Sequence, residues 1–206
     1  MSDKRDELLL KMYDQLFNDI NRHITVIWQS ISMVVGAFAI FALAEKKVVT
    51  LDIATAIIVL LVNWLIAHLY DAAYWYNRNL TMIANIERQF LAKKDLKEIH
   101  YYFGKHRPAN KMLTHLTIQY ALGIGLGGIV LMFHFIIRVF PGFNSPISYF
   151  DPVRSLPYAL TFISIIYLFF LQKNRKESYE EFLKNSPGID IDTKGIQYGV
   201  GHGYKK

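Results

Sequence analysis

The chain has no cysteine. Disulfides and thiolate zinc sites are therefore excluded, and thiol usage marks no redox compartment. Proline is scarce, six in 206 residues, so long helices meet few breakers. The sharpest absence is local. Residues 24–44, 53–70, 116–137 and 156–171 hold no Asp, Glu, Lys or Arg. Each block is close to the roughly 17–25 residues that a helix needs to cross about 30 Å of hydrocarbon. The last is the shortest, and residues 153–157 can lend it a turn. A soluble bundle with buried core helices is the alternative, and uncharged runs of this length fit it poorly. The first block is not expected to be a secretory signal. It is too long, follows a charged segment and lacks a small-residue cleavage site before Glu45.

Chemical signatures are missing as well. There is no GxSxG, P-loop, kinase set, HExxH or carboxylate pair inside the apolar blocks. His100 and His106 share a loop with Asp95 and Glu98, but without zinc-ligand spacing. No metal and no cofactor is expected, and an enzyme is not the first expectation.

What is present is hydrophobic and basic. Apolar residues make up 52% of the chain, and mean hydropathy is +0.19. The formal charge is +6, and it is unevenly spread. Lys4, Arg5, Lys11 and Arg22 precede the first block, and a basic run from Arg78 to Lys111 follows the second. A third basic group begins at Lys173, whereas the other two connections hold only Lys46, Lys47, Arg138 and Arg154. Positive charge stays cytoplasmic, so both termini and the middle loop are expected inside a cell membrane. These cations border membrane ends, where lipid headgroups attract them, and do not point to nucleic acid.

The expected fold is an all-α integral membrane protein with four transmembrane helices. Leu9, Tyr13, Leu16 and Ile20 recur at helical spacing. No Pro or Gly separates them from the first block, so helix one is expected over about 3–44. Ala73, Tyr76, Leu80, Ile83, Ile86 and Phe90 continue a stripe beyond the second block, giving helix two over about 52–92. These two cytoplasmic extensions are expected to pack as an antiparallel hairpin, the alternative being that they lie flat on the membrane. Residues 1–92 then form the long hairpin, with spans 24–44 and 53–70. Residues 93–115 are a cytoplasmic connector with a short helix at 95–103. Residues 116–172 form a second pair, with spans 116–137 and 156–171. Residues 173–206 are a cytoplasmic helix and a glycine-rich tail.

Several groups stand out within this frame. Trp64, Tyr70, Tyr74, Trp75 and Tyr76 have the composition of an interfacial aromatic belt. Gln29 and Asn63 lie at comparable depths in the first two spans, so they are candidates for a polar contact or a pore lining. His68 and Asp71, three apart, share a helix face and are candidates for a gate or relay, or for a packing hydrogen bond. Arg78 completes the pore or gate candidates. Other polar residues inside the blocks, His134 among them, should face protein or water. Gly123 and Gly127 form a small-xxx-small pair expected in oligomer packing, although the same contact can lie within one chain. The glycines at 123–128 are not a dinucleotide loop, because they sit inside an apolar span rather than in an aqueous turn.

The layout resembles the small multi-pass effectors of bacterial antiphage systems, the SLATT-type and four-helix membrane effectors. The resemblance covers about the first 92 residues. It is carried by the two long helices and by Tyr74-Trp75-Tyr76-Asn77-Arg78-Asn79 continuing to Asn85-Ile86-Glu87-Arg88-Gln89-Phe90. It implies oligomerisation and triggered membrane permeabilisation in antiviral defence at a cell inner membrane. The expected function is therefore a non-enzymatic homo-oligomer that forms or gates a membrane pathway. A cytoplasmic partner is expected at the hairpin, middle loop or tail. Two alternatives are a membrane-anchored sensor or scaffold, and a lipid-directed membrane enzyme using His68 and Asp71 or the loop histidines.

Overall fold

The computed structural model describes residues 2–29, 32–91, 107–144, 146 and 151–185. All regular structure among them is helical. Helix α1 spans Ser2–Gln29, α2 Ser32–Glu45, α3 Leu51–Phe90, α4 Thr114–His134 and α5 Leu156–Lys184. Among the described residues, three helical stretches are long and apolar enough to cross a membrane: Leu51–Phe90, Thr114–Phe143 and Pro152–Lys184. The expected first span, 24–44, falls on the end of α1 and on α2, which contains the shorter apolar helix Val35–Glu45; residues 30 and 31 between them lie outside the described residues. The short helix expected at 95–103 and the tail at 186–206 lie outside the described residues.

Helix α3 is 40 residues long because neither glycine nor proline interrupts it. The preceding turn fixes its start. Val48 N–H donates to the Leu43 carbonyl at 2.9 Å and Lys47 N–H to Ala44 at 3.0 Å. This is the pairing of a Schellman ending, with Lys47 in the left-handed position (φ 57°) that glycine usually fills. The Thr50 hydroxyl then accepts from Ile53 N–H at 3.3 Å. Asp52 lies in the first turn, where the helix dipole favours an anion.

The chain forms two compact units that are not consecutive in sequence. One comprises Met1–Thr25, Ala72–Lys111 and Arg175–Lys206. Within it α1 runs antiparallel to the second part of α3. Arg5 meets Gln89, Tyr13 meets Glu87, and the His23 ring stacks on Trp75. Leu16 and Ile20 of α1, Tyr76, Ile83 and Ile86 of α3, and Tyr179 and Leu183 of α5 are buried. Each such side chain contributes about 1.5–3 kcal/mol relative to exposure. The Tyr179 hydroxyl donates to the Arg107 carbonyl at 2.7 Å and lies 3.2 Å from Thr81 Oγ1. Asn77 Nδ2 donates to Asn110 Oδ1 and to the Lys111 carbonyl. Buried polar groups thus fasten the chain at 107–111 onto α3 and α5.

The other unit comprises Val26–Asp71 and Met112–Asn174. Here the first part of α3 and α4 lie antiparallel. Tyr70 faces Tyr120, Leu65 faces Gly123, Val62 faces Gly127, and Asp52 faces His134. The buried face of α4 is Leu116, Gly123, Gly127, Val130 and His134, steps of three, four or seven that keep to one side. A Cβ on Gly123 would sit 3.1 Å from Leu65 Cδ2, and one on Gly127 3.4 Å from Val62 Cγ1. Both glycines therefore bring α4 close to α3 of the same chain. Gly125 and Gly128 point into open space. In the apolar windows of α3, α4 and α5 the buried share is 50%, 22% and 11%. The flanks of α4 and α5 are thus largely uncovered by the other described residues. Ile118, Leu122, Ile129, Phe162, Ile166 and Phe169 are among the residues that line them.

Candidate functional site

A charged cluster is built where α3 begins and α4 ends. Asp52 is 1% exposed and His134 is fully buried. His134 Nε2 lies 2.8 Å from Asp52 Oδ1. Arg138 donates to the same carboxylate twice, Nε to Oδ1 at 3.1 Å and Nη2 to Oδ2 at 2.8 Å. This fork matches the planar carboxylate, which adds orientation to the charge-assisted attraction. On the other side of the imidazole, His134 Nδ1 lies 2.9 Å from the Tyr158 hydroxyl of α5. With the carboxylate as acceptor, Nε2 carries the proton toward Asp52, and Nδ1 accepts from Tyr158. Both carboxylate oxygens and both imidazole nitrogens then have partners. Asp151 and Arg154 sit at the margin, with Asp151 Oδ2 3.9 Å from Arg138 and 3.8 Å from Arg154.

Backbone geometry places Arg138. Residues Phe135–Val139 form a π turn in which Phe140 N–H reaches the Phe135 carbonyl. Such turns insert one extra residue into a helix and recur at functional sites. The cluster ties the ends of α3, α4 and α5 together through four side chains. Hydrogen bonds run from Tyr158 through His134 to Asp52, and the Arg138 fork holds the carboxylate at the end of that chain, so opening the cluster would separate buried charges.

The residues singled out from the sequence have other surroundings. The Gln29 side chain lies outside what the structure describes, so its contact with Asn63 does too. Asn63 is half-buried, and its Oδ1 has no hydrogen-bond partner among the described residues. His68 stacks on Trp64, with ring centroids 5.4 Å apart. Asp71 is half-buried on the same helix. Arg78 lies over the Trp75 and Phe182 rings at 5.1 and 5.6 Å. Gly123 and Gly127 face Leu65 and Val62 within the chain.

Sequence reasoning missed the Asp52–Arg138 pair and recorded His134 only as a polar residue in a span. One signal was available. His134 continues the register of Gly123, Gly127 and Val130, so it had to share the small-residue face. A buried histidine on that face needs a partner, and Asp52 is the acid at the head of the facing helix.

The described residues are thus helical, with three helices long and apolar enough to cross a membrane and a buried ion network at one helix end. No protein-family model, curated protein or solved structure matches the chain.

Proposed function

We propose that the chain is a non-enzymatic, homo-oligomeric, multi-pass membrane protein that forms or gates a pathway across the membrane, with bacterial antiphage defence as its setting. The end of α1 and α2 together supply the fourth crossing, and both termini are cytoplasmic. The observation that carries the proposal is the Asp52–His134–Arg138–Tyr158 network. Ionisable groups beside apolar helices are costly, and they characteristically belong to ion pathways, relays or switches. The open apolar flanks of α4 and α5 support insertion and leave room for neighbouring copies.

The test is ion flux through proteoliposomes. The wild-type chain should dissipate an imposed ion gradient, and Asp52→Asn should change that rate at equal incorporation. A wild-type assembly that incorporates and conducts nothing overturns the pathway.

A second reading is a membrane-anchored sensor or scaffold. The observation favouring it is the fastening of residues 107–111 by Asn77 and Tyr179, which holds that segment in one place against α3 and α5. Partner capture without flux is its expected signature.

A further inference from the structure

Arg78 and Arg175 are both held on aromatic rings. The Arg78 guanidinium lies 5.1 Å from the Trp75 ring centre and 5.6 Å from that of Phe182. The Arg175 guanidinium lies 5.3 Å from the Tyr74 ring centre. Tyr74 contacts both Trp75 and Tyr179, and Tyr179 contacts Phe182, so the rings form one continuous group. His23 closes it by stacking on Trp75. Ring faces satisfy the flat side of a guanidinium but leave its in-plane N–H donors to find acceptors. Among the described residues no carboxylate lies within ion-pair distance of Arg78. A half-buried cation held in place, with no acid beside it among the described residues, is prepared for an anion from outside the chain.

Position along the chain narrows the ligand. Arg78 follows the apolar block 53–70, Arg175 follows the block 156–171, and His23 directly precedes the block 24–44. At about 1.5 Å per helical residue, each lies within about 12 Å of the end of its hydrocarbon stretch, where headgroups begin. We infer that Arg78, fixed by Trp75 and Phe182, is a binding site for a phosphate-bearing anion. An anionic lipid headgroup and a soluble phosphate share this chemistry, and both present oxygens that a guanidinium fork can grip in pairs. The inference rests on lipid surrounding the apolar helices, and it is independent of whether the assembly conducts.

The full chain carries three tryptophans. With Trp28→Phe and Trp64→Phe, Trp75 becomes the sole reporter. The chain is placed in phosphatidylcholine nanodiscs, and Trp75 emission is followed in two arms. In one, phosphatidylglycerol replaces phosphatidylcholine stepwise. In the other, inorganic phosphate is titrated at constant ionic strength. Native mass of the detergent-purified chain counts retained phosphatidylglycerol as a second readout. A saturable response in at least one arm is expected, and that arm identifies the source. Arg78→Gln should weaken it about tenfold or more, the loss of one charge-assisted contact. Arg78→Lys should weaken it less, and Lys176→Gln should leave it unchanged. No saturable response in either arm overturns the site. So does unchanged affinity in Arg78→Gln with native helicity. A chain that stays soluble without amphiphile removes the membrane reading instead, and the phosphate arm then tests the site alone.

Discussion

Asp52 and His134 are 82 residues apart in the chain and 2.8 Å apart in the fold. Arg138 grips the same carboxylate from the turn that follows His134. Removing one member of a buried pair leaves its partner uncompensated, typically at about 3–5 kcal/mol. Arg138→Met should therefore lower thermal stability in detergent by about 3 kcal/mol. Asp52→Asn/Arg138→Met together should recover part of that loss, because no lone charge remains. Melting followed by helical circular dichroism checks both, and additive losses would exclude the coupling.

The two faces of the α4 glycine run should behave differently. Gly127→Leu drives a side chain into Val62 and should destabilise the fold by about 1–3 kcal/mol. Gly125→Leu enters open space and should leave melting unchanged. If homo-oligomers pack through this uncovered face, Gly125→Leu should instead reduce the native mass. Equal melting losses in the two variants would contradict the placement of α4.

Much of this architecture was legible in the sequence, for local reasons. An unbroken stripe gave helix two over 52–92, and α3 spans Leu51–Phe90. The charged continuation of the fourth block was readable in the same way, and α5 ends at Lys184. The small-residue pair Gly123 and Gly127 marked a close contact, but its partner was not readable. Periodicity reports the buried face of a helix and not the identity of the facing element. For the same reason His68 and Asp71 drew attention while Asp52 did not. Three-residue spacing is visible along one helix, whereas the Asp52–Arg138 fork depends on antiparallel register and a π turn.

Tyr13 supplies a pH-dependent prediction. Burial, followed by the charge of Glu87 and the hydrogen bond to it at 3.2 Å, pushes the Tyr13 phenol from about 10 up to about 12. The folded state therefore favours the protonated phenol. This contribution is fully present below about pH 10 and is lost as pH rises toward 12. Tyr13→Phe should cost about 1 kcal/mol at neutral pH, and it should flatten the fall in stability between those limits. Unfolding midpoints measured from pH 8 to 12 check this, and parallel pH curves for the two proteins would contradict it.

Lys47 holds a left-handed backbone position that costs about 1 kcal/mol for a residue with a Cβ. Glycine there relieves the strain and gives back part of the gain as unfolded-state entropy. Lys47→Gly should raise stability slightly, by less than about 1 kcal/mol, without altering helix content. A clear loss of stability would show that the Lys47 side chain holds the turn.

The most direct test of the whole account is the solvent that the apolar flanks of α4 and α5 require. Cell membranes containing the chain are washed with alkaline carbonate and then extracted with detergent. The chain should remain in the carbonate pellet and leave it only with detergent. Release by carbonate as a monodisperse species in plain buffer would contradict the account.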